Sequence, residues 1–187
     1  MAVSSTMLAL GTPLPVFSLP DTTAAGKLVS SDSLKGKVAV VAFICNHCPY
    51  VIHVKQGLVE LGRHVAASPG AKMVAVSSND VSAYPEDGPG RMAEEAHRAG
   101  YPFPYLYDES QSVARAFQAA CTPEIYVFDP QGPLRYRGRL DDSTPKNGRP
   151  VTGKDVRAAI DALLAGNTPD LDQQASIGCS IKWKDEH

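Results

Sequence analysis

The sequence predicts an α/β sandwich built around a mixed sheet, and three stretches carry that prediction. Val38 to Ile44 is an unbroken apolar run of Val, Ala, Phe and Ile, with the length and composition of a strand covered on both faces. Directly after it, Val51, Val54, Leu58, Leu61 and Val65 recur at steps of three and four, the apolar stripe of an amphipathic helix. Towards the C-terminus, "EIYVFD", the turn "DPQG" and "LRYRGR" read as a β-hairpin that closes the alternation of strands and helices.

The remaining elements follow in order. "PVFSLPDTTAAGKLVSSDSLKGK" mixes turn residues with short apolar pieces and predicts small strands or a hairpin ahead of the main sheet. Lys72 to Ser77 is a second buried strand, and "SSNDVSAYPEDGPG" is a loop. "RMAEEAHRAG" is a helix that Gly100 can end, since glycine takes the left-handed conformation without a Cβ penalty. "FPYLYD" gives a short strand, and "ESQSVARAFQAA" a helix with Val113, Ala116, Phe117 and Ala120 on one face. A polar loop, Leu140 to Pro150, leads to a last helix capped by Thr152, with Val156, Ala159, Ile160 and Leu163 buried.

A chain of 187 residues that is 43% hydrophobic suits one domain, residues 1–187, with 167–187 as a C-terminal tail folding back on it. The net charge of −2 gives no reason to expect nucleic acid or an anionic membrane as partner. No apolar run approaches the roughly 20 residues of a membrane span. "MAVSSTMLALGTPLP" lacks the basic and apolar regions of a signal peptide, so a cytoplasmic location is expected. Thiols stay reduced there, and four cysteines are too few for a disulfide scaffold.

The chemistry therefore centres on "FICNHCPY", Phe43 to Tyr50, where a buried strand hands over to a helix. A helix start presents unpaired N–H groups and the positive end of the macrodipole. A thiol there can fall from about 8.5 to about 3.5–7.5 in pKa. Cys45 and Cys48 are spaced to open and close a disulfide with little backbone movement, and His47 between them offers charge or a hydrogen bond. A better-stabilised thiolate makes the disulfide more oxidising, so His47 is expected to raise the potential of the pair. A zinc site is the alternative, with His47 or His53 as a further ligand, but the chain holds no second Cys-x-x-Cys.

With these motifs in place, the chain resembles thioredoxin-fold proteins, and more narrowly the peroxiredoxin-like branch of the alkyl hydroperoxide reductase/thiol-specific antioxidant superfamily. "GTPLPVFSLPD", "GKLVSSDSLKGKVAVVAF", "FPYLYDESQSVARAF" and "CTPEIYVFDPQG" carry the resemblance, together with "YRGRLDDSTP" and "GCSIKWK". It implies an N-terminal hairpin, a peroxiredoxin-type strand–helix insertion, and a cis Pro123 after Thr122 facing the cysteines. It also shows departures. Cys45 stands where a peroxiredoxin has threonine or serine, and Pro123 where it has arginine, leaving Arg137 or Arg139 as substitutes. The buried acid of thioredoxins is replaced by Ala39, so proton transfer would fall to water, His47 or Glu124.

The resemblance implies a thiol-disulfide oxidoreductase that cycles Cys45 and Cys48, with Thr122 and Pro123 holding the substrate chain. No cofactor is implied. Partners would be a protein or small-molecule disulfide and a thiol reductant, and hydroperoxide if the enzyme is instead a peroxidase with Cys48 attacking. A non-enzymatic zinc-bound or redox-sensing module is a further alternative. Thioredoxin logic makes Cys45 the attacker at an exposed helix cap, and this is the expectation carried forward. Peroxiredoxin logic makes it Cys48, with Pro49 opening the helix. Cys121 lies two residues before Pro123, and the tail turns apolar around Cys179 and Trp183. Cys121 and Cys179 are therefore expected to form a second thiol pair.

Overall fold

The computed structural model describes residues 2–185. The chain runs through β1 (Ala2–Ser4), β2 (Ser18–Pro20), β3 (Leu28–Ser30), β4 (Val38–Phe43), α1 (Pro49–Ala66), β5 (Ala71–Ser77) and α2 (Pro89–Ala99). It continues with β6 (Tyr105–Tyr107), α3 (Ser112–Ala116), β7 (Cys121–Thr122), β8 (Glu124–Phe128), β9 (Leu134–Gly138), α4 (Lys154–Leu164) and β10 (Ile177–Ser180). The main sheet has the order β6-β5-β4-β8-β9. β4, β5 and β6 are parallel, while β8 and β9 run antiparallel to their neighbours.

β4 is central, and every one of its residues is buried. Side chains alternate across a strand, so a strand covered on both sides must be apolar at every position. Val38, Val40, Ala42 and Ile44 face a core shared with Val54, Leu58 and Leu61 of α1, Met92 of α2, and Val156 and Ile160 of α4. Ala39, Val41 and Phe43 face a second core with Leu19, Val29, Phe117, Tyr126 and Phe128. Phe117 anchors this second core. Its ring meets Phe43, Tyr126 and Phe128 edge-on at centroid distances of 5.3, 5.2 and 5.9 Å.

The predicted strands, the β2–β3 hairpin and the β8–β9 hairpin are present. Gly100 ends α2 in the left-handed conformation, with φ 72° and ψ 41°. Two local expectations need correction. α3 is only five residues long, because Gln118 enters the left-handed region at φ 50°. Its buried neighbours are Val113, Ala114, Phe117 and Ala119, while Ala116 is exposed. At α4 the cap position is Gly153, not Thr152. The carboxylate of Asp141 satisfies that end instead, accepting the N–H groups of Thr152 at 2.5 Å and Gly153 at 2.6 Å.

The C-terminal strand belongs to a separate small sheet. β10 pairs antiparallel with β1 on one side and β7 on the other, with Cys179 opposite Thr122 and Ser180 opposite Cys121. Gly178 makes this approach possible, since a Cβ there would lie 2.0 Å from the Thr122 carbonyl oxygen. Beyond β10, Gln111 and Asn79 hold the chain: Gln111 Nε2 donates to the Lys182 carbonyl and Asn79 Oδ1 accepts the Lys182 N–H, both at 2.8 Å. No helix among the described residues is long and apolar enough to cross a membrane.

Candidate active site

The turn from β4 into α1 is fastened to the loop that follows β5. Asp87 Oδ1 accepts the backbone N–H groups of Asn46 at 2.8 Å and His47 at 3.3 Å. Asn46 Nδ2 donates to the Glu86 carbonyl at 2.8 Å. The helix opens at Pro49, whose missing N–H costs nothing at the first helical position. Cys48 is therefore the N-cap, and the expectation that Cys45 occupies an exposed cap is corrected. Cys45 sits in the preceding turn, 2% exposed, and Cys48 is fully buried.

Both sulfurs meet Thr122, and the Thr122–Pro123 peptide is cis. Cys45 Sγ is 3.3 Å from the Thr122 hydroxyl, and the Cys48 thiol donates to the Thr122 carbonyl at 3.2 Å. That carbonyl is the acceptor that favours the protonated Cys48 thiol; the other polar neighbours act in the opposite sense. The Cys45 thiol is the largest influence, followed, against the opposing effect of burial, by the Cys179 thiol and the N–H groups of Val51 and Cys179. With these donors turned towards it, Cys48 is lowered to about 4. Cys45 moves the other way. Its hydrogen bond to Cys48, its burial and the charge of Asp87 raise it, against the Thr122 hydroxyl. The arrangement separates one thiolate from one thiol.

His47 is held by Asp87 and Tyr84. Its Nδ1 lies 2.6 Å from Asp87 Oδ2, and its ring stacks on Tyr84 at 5.0 Å and 11°. Asn79 Nδ2 also donates to Asp87 Oδ2, at 2.8 Å. Sequence reasoning missed Asp87, because nothing in the periodicity of a loop distinguishes one acidic residue from another. Ligand atoms of Cys45, His47 and Asp87 lie within 4.8 Å of one another, so these three could hold a metal ion. The carboxylate, however, is already engaged by two backbone N–H groups, the imidazole and an amide. A hydrogen-bonded framework accounts for the cluster as it stands. His53 lies outside it, with Nε2 2.7 Å from Ser143 Oγ.

The expected pairing of Cys121 with Cys179 is not what the structure brings together. Successive residues of a strand face opposite sides, so Cys179, opposite Thr122, turns its side chain away from Cys121. The Cys179 thiol meets Cys48 instead. Cys121 is fully buried, 3.8 Å from Glu124 Oε2, and burial together with that carboxylate pushes its thiol up. Glu124 also accepts from Ser5 Oγ at 2.5 Å, Tyr126 Oη at 2.8 Å and the Ala120 N–H at 2.9 Å. These bonds tie β7, β8 and the N-terminal segment together. All four cysteines are free thiols.

A mixed sheet whose central strand delivers two cysteines to a helix start, opposite a cis-proline loop, is the thioredoxin-like fold. The chain belongs to the AhpC/TSA family, whose pattern it matches over residues 10–137. It is similar to an uncharacterized conserved protein from Geobacillus kaustophilus, at 49% identity over 100% of this chain and 98% of that one, with a TM-score of 0.96. A hypothetical protein from Sinorhizobium meliloti is 42% identical over 98% and 99% of the two chains, with a TM-score of 0.94. A thioredoxin family thiol:disulfide interchange protein from Chlorobium tepidum shares the fold at 22% identity, with coverage of 83% and 98% and a TM-score of 0.64. None of the curated proteins matches the chain.

Proposed function

We propose that this protein is a thiol-disulfide oxidoreductase in which Cys48 attacks and Cys45 resolves. The observation that carries this reading is the convergence of both sulfurs on Thr122, with hydrogen-bond donors gathered on Cys48. The Cys48 thiolate attacks a substrate disulfide, forming a mixed disulfide and expelling the other half as a thiol. Cys45 then attacks Cys48 Sγ, closing the Cys45–Cys48 disulfide and releasing the second half as a thiol. Two electrons pass to the substrate, and a thiol reductant restores the dithiol.

A second reading has Cys48 attacking hydroperoxide, giving an alcohol and a sulfenic acid that Cys45 condenses with loss of water. The full burial of Cys48 favours an oxidant this small. Against it, both candidate arginines are tied elsewhere: Arg137 to the Leu8 carbonyl and Gln173, and Arg139 to Asp155. Single-turnover assays of the reduced protein, against hydrogen peroxide and against insulin disulfides, decide between the two. Faster oxidation by insulin supports the oxidoreductase; oxidation by peroxide alone transfers the role to a peroxidase. We place the enzyme in the cytoplasm, where its pair would be kept reduced.

A further inference from the structure

We propose that Cys179 is a third redox thiol, which exchanges with the buried Cys45–Cys48 pair by forming a disulfide to Cys48. The inference rests on the dithiol reading above. Its first support is position. β10 is laid along β7 so that Cys179 falls opposite Thr122, the residue both active-site sulfurs already touch. Its second is access. Cys45 and Cys48 are buried, whereas Cys179 is part-exposed while still packed against their cluster. A protein thiol reaching for the pair therefore meets Cys179 first. The third support is occupancy: the backbone edge at Thr122, expected to receive a substrate chain, is filled by this chain's own strand.

The exchange balances without an added oxidant. In the Cys45–Cys48 disulfide, the Cys179 thiolate attacks Cys48 Sγ; the Cys48–Cys179 bond forms, and Cys45 leaves and takes up the proton that Cys179 lost. An external thiolate then attacks the accessible Cys179 sulfur and expels Cys48, the better leaving group of the two. A second external thiol attacks the mixed disulfide, releasing the oxidised reductant and the Cys179 thiol. Burial and its hydrogen bond to Cys48 hold the reduced Cys179 thiol up at about 11, so the Cys48–Cys179 bond is opened at Cys179, with Cys48 leaving.

The full-length protein provides the test. Wild type, Cys45→Ser and Cys179→Ala are oxidised with glutathione disulfide, alkylated, digested and mapped by mass spectrometry. Cys45→Ser is expected to yield a Cys48–Cys179 cross-linked peptide. Recovery of Cys48 as a glutathione adduct, with Cys179 alkylated, overturns the proposal. In Cys179→Ala the Cys45–Cys48 disulfide should still form, but its reduction by glutathione should slow at least about tenfold. An unchanged rate overturns the relay, and Cys121→Ala controls for loss of a thiol elsewhere. If Cys179→Ala does not fold, the cross-link in Cys45→Ser alone decides. Failure of wild type to form Cys45–Cys48 identifies the dithiol reading, not the relay, as the error.

Discussion

Asp87 Oδ2 stands 2.6 Å from His47 Nδ1, and Asp87 itself is fully buried beneath the loop that carries both cysteines. A carboxylate accepts, so the imidazole donates from Nδ1. Asp87 thus does two things: it ties down the loop through three donors, with the Asn79 amide as a fourth from outside it, and it places a negative charge that raises Cys45.

Removing that charge should lower the titration midpoint of Cys45. The clean comparison uses Cys48→Ser as background, so that the two sulfurs no longer share a proton. Thiolate absorbance at 240 nm should rise at lower pH in Cys48→Ser/Asp87→Asn than in Cys48→Ser. Coincident curves would show that Asp87 acts on the backbone alone. Asp87→Ala should in addition cost about 1–3 kcal/mol in thermal unfolding, since buried donors lose their partner.

The Cys48 thiolate makes a pH-dependent prediction. Its folded pKa, about 4, lies below the unfolded value of about 8.5, so it stabilises the reduced fold. That contribution is complete above the unfolded value and is lost as the pH falls through the folded one. The stability of the reduced wild type relative to Cys48→Ser should therefore climb from about pH 4 towards about 8.5. A pH-independent difference in denaturant midpoints would contradict a thiolate at Cys48.

How far the sequence anticipates this site differs between its parts. The unbroken run Val38–Ile44 leaves β4 no alternative to double burial, and the stripe from Val51 to Val65 fixes the buried face of α1. Those are local signals. Which cysteine caps the helix depended on one residue, Pro49, whose preference for the first helical position outweighed the thioredoxin analogy. Asp87 and Cys179 could not be read in this way. One comes from a loop 40 residues away and the other from a strand whose register only tertiary pairing sets. The alternation of a strand then decides that Cys179 faces Cys48 and Cys121 does not.

Phe117 should be among the most costly core truncations. It is fully buried and meets three aromatic rings of β4 and β8 edge-on, although it lies just beyond a five-residue helix. Phe117→Ala is expected to lose about 3–5 kcal/mol in denaturant unfolding. Ala116→Gly, one position earlier and exposed, should cost under about 1 kcal/mol. Equal losses would mean that the face inferred for this segment is wrong.

Gly178 tests whether β10 shields the thiol pair. A Cβ at this position would lie 2.0 Å from the Thr122 carbonyl oxygen and 2.7 Å from its carbon, both backbone atoms that no rotamer change can clear. In Gly178→Ala, either β10 withdraws from β7 or the cis-proline loop shifts. Overpacking of this kind costs about 1–3 kcal/mol. Withdrawal also removes the Cys179 thiol and N–H from Cys48 and opens a path to the buried sulfur. Iodoacetamide should then alkylate Cys48 faster in the reduced variant than in wild type at the same pH. A rigid shift of the loop without withdrawal would leave that rate unchanged while still lowering stability. Gly178→Ala in which faster hydrogen exchange shows that β10 has withdrawn, yet Cys48 is alkylated at the wild-type rate, would therefore show that the strand does not control access to Cys48.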